Sequence, residues 1–316
     1  MKALALLGAR AVPAGSSVFF ASLCTALRFT VAAAVLALWV GPRWRHLTRR
    51  EIQQGGGIGL CGGLALVLQM DGMAYTLAST SAFLTQGYVV LIPLWVGLTR
   101  RRLPQAAVVV ACGLTVIGAA FLGWQAGPEG GIQFGRGEWE TLAGSVLFAT
   151  QILWLERPMF AANDSLRTTA VMFAVMLLVA WPLAVASSPG PGGAPLLVAY
   201  QSRAALALLA FLAVPCTLAT FPLANHWQPK VSATQAGLLY CTEPVFTTVV
   251  ALWVPGLISQ WAQVNYPDET LPWNRLTGGG LIIAANLWLM LRPTPPLPGP
   301  DSARGAAPMP SPPSVG

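Results

Sequence analysis

ASTSAFLTQGYVVLIPLW (78–95) and SATQAGLLYCTEPVFTTV (232–249) decide how this chain is read, because the second repeats the first in outline. Each has a small-residue cluster, then apolar residues, then polar or aromatic ones in the same order, and each feeds a hydrophobic helix. The next stretches also correspond, LPQAAVVVACGLTVIGA from Leu103 and LPWNRLTGGGLIIAAN from Leu271, with a one-residue gap. The connection in the first unit is basic, Arg100 to Arg102, whereas its counterpart holds Asp268 and Glu269. Equivalent elements therefore point in opposite directions across a membrane, the arrangement from which many carriers are built.

The membrane reading rests on composition. Hydrophobic residues make up 55% of the chain and charged residues 9%, with a mean hydropathy of +0.61. A crossing needs roughly 20 apolar residues. Spans are expected at 17–40, 55–76, 80–99, 105–124, 138–156, 168–187, 204–225, 234–256 and 275–291. With about nine such spans the fold class is an all-α integral membrane bundle, since helices satisfy their own backbone in lipid and no barrel pattern is present.

The net charge of +7 does not point to nucleic acid, because the basic residues fall in alternate connections. Arg43, Arg45, Arg49, Arg50, Arg100 to Arg102, Arg157, Arg167, Lys230, Arg292 and Arg304 form one set, cytoplasmic by the positive-inside bias. Glu129, Glu138, Glu140, Asp268 and Glu269 fall on the other side. The C-terminus is then cytoplasmic, in a plasma or inner cell membrane. Residues 1–16 are read as a truncated first helix, with an external loop as the alternative. The divisions that follow are a first repeat at 17–124, an external loop at 125–137, a second repeat at 138–292 and a disordered Pro-rich tail at 293–316. Cys24, Cys61, Cys112, Cys216 and Cys241 all lie in spans and form no disulfide or metal pattern.

With LRF at 27–29, AYTLASTSAFLTQGYVVLIPL at 74–94, SATQAGLLYCTEPVF at 232–246 and the Gly-rich TGGGLIIAAN, the chain resembles EamA-type members of the drug/metabolite transporter superfamily. The resemblance covers about residues 15–292. It implies two inverted five-helix repeats, the first lacking one helix, and export or facilitated passage of small organic metabolites or drug-like compounds by alternating access. The chain departs from the family in that helix and in the longer stretch ISQWAQVNYPDETLPW (258–273).

Glu243 stands in an otherwise apolar run, where a carboxyl costs a few kcal/mol and marks a substrate or proton path. Pro244 beside it is expected to break or kink the helix and free carbonyls; the alternative is that Glu243 only fixes packing. Arg28, midway along the first span, needs a partner, either a substrate carboxylate or Glu243, unless it snorkels or pairs structurally. Gln86, Tyr88, Tyr240 and Gln151 complete the candidate cavity, and Gln86 aligns with Tyr240 across the repeat. Asp71 reads as exposed at the outer mouth. Gly55, Gly59 and Gly63 give one helix a smooth packing face. No nucleotide loop, metal cluster or nucleophile dyad is present, so no catalytic residue, metal or cofactor is assigned and the chain is not expected to be an enzyme. The partners are the lipid bilayer and a small-molecule substrate, with homo-oligomerisation open. The competing reading is a non-transporting scaffold or an inactive truncated paralogue.

Overall fold

The computed structural model describes residues 1–99, 106–125, 131–190, 193–230 and 233–291. Apolar runs nearly free of charge leave the backbone only its own carbonyls to pair with, and helices follow one another along the chain. They are α1 (Lys2–Ala11), α2 (Ser17–Val40), α3 (Arg49–Gly72), α4 (Ala78–Thr85), α5 (Tyr88–Thr99), α6 (Ala106–Leu122), α7 (Arg136–Leu155), α8 (Ser165–Ala186), α9 (Ala194–Val198), α10 (Arg203–Ala213), α11 (Thr220–Trp227), α12 (Ala233–Ala251), α13 (Val254–Ala262) and α14 (Trp273–Met290). The described strands are two-residue pieces, β1 (Trp124–Gln125) and β2 (Gly131–Ile132), paired antiparallel in the 125–137 connection.

The fold is all-α and of the membrane class. Four helical segments, Ser17–His46, Ala78–Thr99, Ser165–Ala186 and Arg203–Lys230, are long and apolar enough to cross a bilayer, and a fifth is so if Thr242–Ala251 and Val254–Ala262, bent by 50°, count as one. Large apolar side chains face outward, with Leu38 83% and Leu178 72% exposed. Small residues and aromatic rings fill the interior, among them Phe19, Phe29, Phe173, Ala32 and Ala180. A helix or helix pair occupies each described stretch where a span is expected, whereas the connection at Arg100–Arg102 and the tail at 293–316 lie outside the described residues.

Most of residues 1–16 form the ten-residue helix α1, so the alternative of a loop is not met. Leu4 and Leu7 share one face of α1 and enter a cluster with Phe19, Phe20, Leu23 and Tyr200. Arg10, which interrupts the apolar run in the sequence, sits in the last turn and donates to the Gln263 carbonyl at 3.0 Å.

The glycine face of α3 is a packing surface, as its spacing suggests. A methyl group at Gly55 would meet the Thr168 carbonyl at 2.6 Å, and one at Gly59 the Met172 carbonyl at 2.7 Å. Gly63 faces Met176 more loosely, where a methyl group would lie 3.4 Å from the Met176 Cα. Residues every fourth position on α3 thus lie along residues every fourth position on α8, with the backbones in contact, as small residues permit in membrane bundles. Helices α6 and α14 repeat the device at Gly118 and Gly278, each directed at the other's carbonyl.

Hydrogen bonds sort the connections into two ends. At one end Glu51 binds Arg167 and the Asp164 N–H, Gln54 accepts from Asn163, and Ser165 pairs with His226. At the other, Lys2 reaches the Thr76 carbonyl, Asn274 the Trp124 carbonyl, and Ser17 and Arg136 both meet the Tyr75 hydroxyl. The long stretch 258–273 belongs to this second end and has a purpose there. The N-cap residue of α4 is Leu77, whose side chain cannot bond the exposed N–H groups. Glu269 does so instead, accepting from the Ala78 N–H at 2.8 Å and the Ser79 hydroxyl at 2.5 Å, with its charge favourably placed at a helix N-terminus.

Candidate functional site

Of the break or kink expected at Pro244, the break is not found, because α12 runs unbroken from Ala233 to Ala251 with Pro244 inside it. The reason is local. Proline lacks the N–H that would bond the carbonyl four residues earlier, and that carbonyl belongs to Tyr240. The Gln86 side-chain amide donates to it at 2.9 Å, so a side chain from the first half supplies the hydrogen bond that the second half lacks. The helix break occurs instead after Ala251, where the chain turns into α13.

Gln86 reaches α12 because it occupies the interruption between α4 and α5. Its own N–H bonds the Phe83 carbonyl and that of Gly87 bonds Leu84, so the last turn of α4 tightens to the i→i+3 pattern before α5 resumes. Gln86 is 1% exposed, and its Oε1 is buried without a hydrogen-bond partner. The Tyr88 ring meets that of Tyr240 edge to face, with centroids 6.0 Å apart.

The Tyr240 hydroxyl extends the network. It donates to Gln228 Oε1 at 2.6 Å, and Gln228 Nε2 donates to Glu156 Oε1 at 3.3 Å. Glu243 and Glu156 both lie within electrostatic range of that hydroxyl. Both carboxylates are exposed. Among the described residues neither forms an ion pair. Hydrogen bonds and ring contact thus connect two aromatic rings, two amides and the Glu156 carboxylate, with Glu243 nearby, a set that can accept donors.

Two sequence candidates lie elsewhere. Arg28 is 5% exposed, donates from Nε to Thr217 Oγ1 at 2.9 Å and packs on α2's own Phe29. Thr217 stands in a π-helical stretch, Val214–Ala219, where Pro215 removes an N–H and Thr217 Oγ1 bonds back to the Leu212 carbonyl at 2.7 Å. Arg28 therefore pairs with the bulge and not with Glu243. Gln151 lies against Gly62 of α3, its Oε1 buried and unpartnered. The structure brings together Gln86, Tyr88, Tyr240, Pro244 and Glu243, and leaves Arg28 and Gln151 outside that group.

Glu156 and Gln228 belong to the site and were not expected there. Their only sequence signal is a polar residue at the end of a span, which most spans share. Asp71 corrects the sequence reading outright: it is 3% exposed and ion-paired to Arg136. Cys24, Cys61, Cys112 and Cys216 are free thiols, and the Cys241 side chain lies outside the described residues.

No protein-family model matches the chain, and no curated protein does. Six solved chains match it in structure. One of them, a crystal structure of a protein, superposes over 91% of this chain and 93% of its own with a TM-score of 0.51 and 18% sequence identity. At that identity the likeness establishes a shared fold and nothing about activity.

Proposed function

We propose that the chain is a multi-pass membrane carrier of the EamA type, moving a small organic metabolite or drug-like compound by alternating access past Glu243. The observation that carries this reading is the Gln86–Tyr240 bond, because it joins the two segments that correspond in sequence, from the interruption between α4 and α5 to the carbonyl that Pro244 leaves without its helical donor. Helix neighbours support the same symmetry. Taking α2 with α8, α4–α5 with α12, and α6 with α14 as counterparts, each member packs on its own counterpart. With α3 matched to α10 and α7 to α1, the α3·α7 contact has its image in α10·α1, and α3·α8 in α10·α2. A site between inverted halves is where carriers bind substrate.

In this reading the Arg-rich end with Glu51 and Arg167 is cytoplasmic and the end with Asp71 and Glu269 external. Glu243 binds a proton or a substrate donor, and the Tyr240–Gln228–Glu156 chain links it to the cytoplasmic end. The scaffold alternative draws on the Gln86 amide, which is spent on a backbone carbonyl. Transport by Glu243→Gln in proteoliposomes decides between them, since amide and acid match in shape and only the acid titrates. Loss or uncoupling of transport, with membrane expression intact, is the expected outcome; wild-type transport and pH dependence in the variant would reduce Glu243 to packing.

A further inference from the structure

We propose that the connection between α2 and α3 is a binding surface for anionic phospholipid, in which Arg43, Arg45, Arg49 and Arg50 take the headgroup phosphate and the apolar side chains beside them take the acyl chains. The four guanidiniums fall within residues 43–50 and all are exposed. Among the described residues none of the four makes a hydrogen bond or ion pair. By contrast, Arg10, Arg136, Arg167 and Arg275 are each spent on a protein acceptor. The nearest acid in sequence, Glu51, is 1% exposed and taken by Arg167, so it cannot neutralise the patch.

The backbone holds these cations in a fixed array. Gly41, at φ 49°, ends α2, and the chain enters a 3₁₀ turn over Gly41–His46. The Trp44 indole donates to the Ala37 carbonyl at 3.2 Å and ties that turn back onto α2. Arg49 and Arg50 then stand in the first turn of α3, where the helix dipole is already positive and basic side chains are unfavourable. A bound anion relieves that conflict. A fifth cation joins the array: Arg157 lies over the Trp154 ring, 4.1 Å from its centroid, and the Trp154 indole donates to the Gln53 carbonyl of α3 at 3.2 Å.

Depth selects a lipid over a soluble acidic partner. Leu38 and Trp39, in the last turn of α2, and Ile52, in the first turn of α3, are exposed beside the arginines. Tryptophan marks the interface of a bilayer, so the guanidiniums emerge at the level of the phosphates with apolar side chains directly beneath them. A soluble acidic ligand would use the charges and leave that apolar edge uncovered. Every one of the four is arginine, whose planar fork donates two N–H groups to one phosphate.

The inference rests on the membrane class of the fold and not on the carrier reading.

The test is thermal melting of the purified full chain in detergent micelles doped with phosphatidylglycerol or with phosphatidylcholine of the same acyl chains, together with native mass spectrometry of the lipid retained. Phosphatidylglycerol should raise the melting temperature and be retained in preference. Arg43→Gln with Arg45→Gln, and separately Arg49→Gln with Arg50→Gln, should each weaken its binding about 25-fold, at about fivefold for each basic side chain beside an anionic lipid. Each pair leaves two arginines in the connection and so preserves its positive charge, and the second pair serves should the first fold poorly. Arg203→Gln, at the start of α10, should bind as the wild type does. An equal response to the two lipids, or a preference for phosphatidylglycerol that both pairs retain, overturns the proposal. So does equal stabilisation by inorganic phosphate, which would show that no acyl chain is held.

Discussion

A proline in a membrane helix forfeits one hydrogen bond, and its neighbours decide whether the helix survives. At Pro244 the forfeited acceptor is the Tyr240 carbonyl, and Gln86 replaces the missing donor at 2.9 Å. Gln86→Leu leaves that carbonyl buried and unpaired, a loss of about 1–3 kcal/mol. Pro244→Ala returns the N–H, so in the Gln86→Leu background it should recover most of the loss. A double-mutant cycle on unfolding in detergent measures this, and additive effects of the two changes would show that the amide does not serve the proline. The same bond explains why residues 78–95 and 232–249 could be aligned from sequence while their contact could not be foreseen: Gln86 and Tyr240 fall at one register position, but a side chain meeting a backbone leaves no pattern in residue types.

Helices α3 and α8 are joined along their length by backbone contact and at their N-terminal ends by one ion pair. Burial of Glu51, 1% exposed, works against its ionised form. The Arg167 guanidinium at 2.6 Å and the N–H groups of Thr48 and Asp164 outweigh that and hold the carboxyl down at about 2. An unfolded-chain glutamate titrates near 4.3. The folded value is the lower, so the pair's stabilisation is complete above about pH 5 and is lost as pH falls from there toward 2. The loss amounts to about 3 kcal/mol. Acid melting of Glu51→Gln should begin from a lower temperature at neutral pH and lack this limb, and an unchanged limb would assign the acid sensitivity to another group. The capping box between Thr48 and Glu51 is local, within four residues of sequence; the partnership with Arg167 spans 116 residues.

At the scale of the whole molecule, Arg43, Arg45, Arg49 and Arg50 cluster in the connection between α2 and α3. Under the proposed carrier reading the positive-inside bias puts this end toward the cytoplasm. In a cysteine-free background, an impermeant thiol reagent applied to intact cells should label Arg203→Cys and spare Arg45→Cys. The reverse pattern would invert the topology, and labelling of both from one side would end the alternating-span reading.

Composition and periodicity determined the class of this protein, because a bilayer imposes one rule on every residue it touches and that rule is visible residue by residue. The helix positions, the glycine face of α3 and the correspondence of the two segments followed from it. Tertiary structure decided the pairings. It sent Arg28 to Thr217 and not to Glu243, buried Asp71 against Arg136 and Glu140, lent Gln86 to the carbonyl that Pro244 releases, and brought Glu269 across to cap α4. A polar group in an apolar bundle must find a partner, but which one it finds depends on how helices distant in sequence are set against each other, and that is fixed by packing.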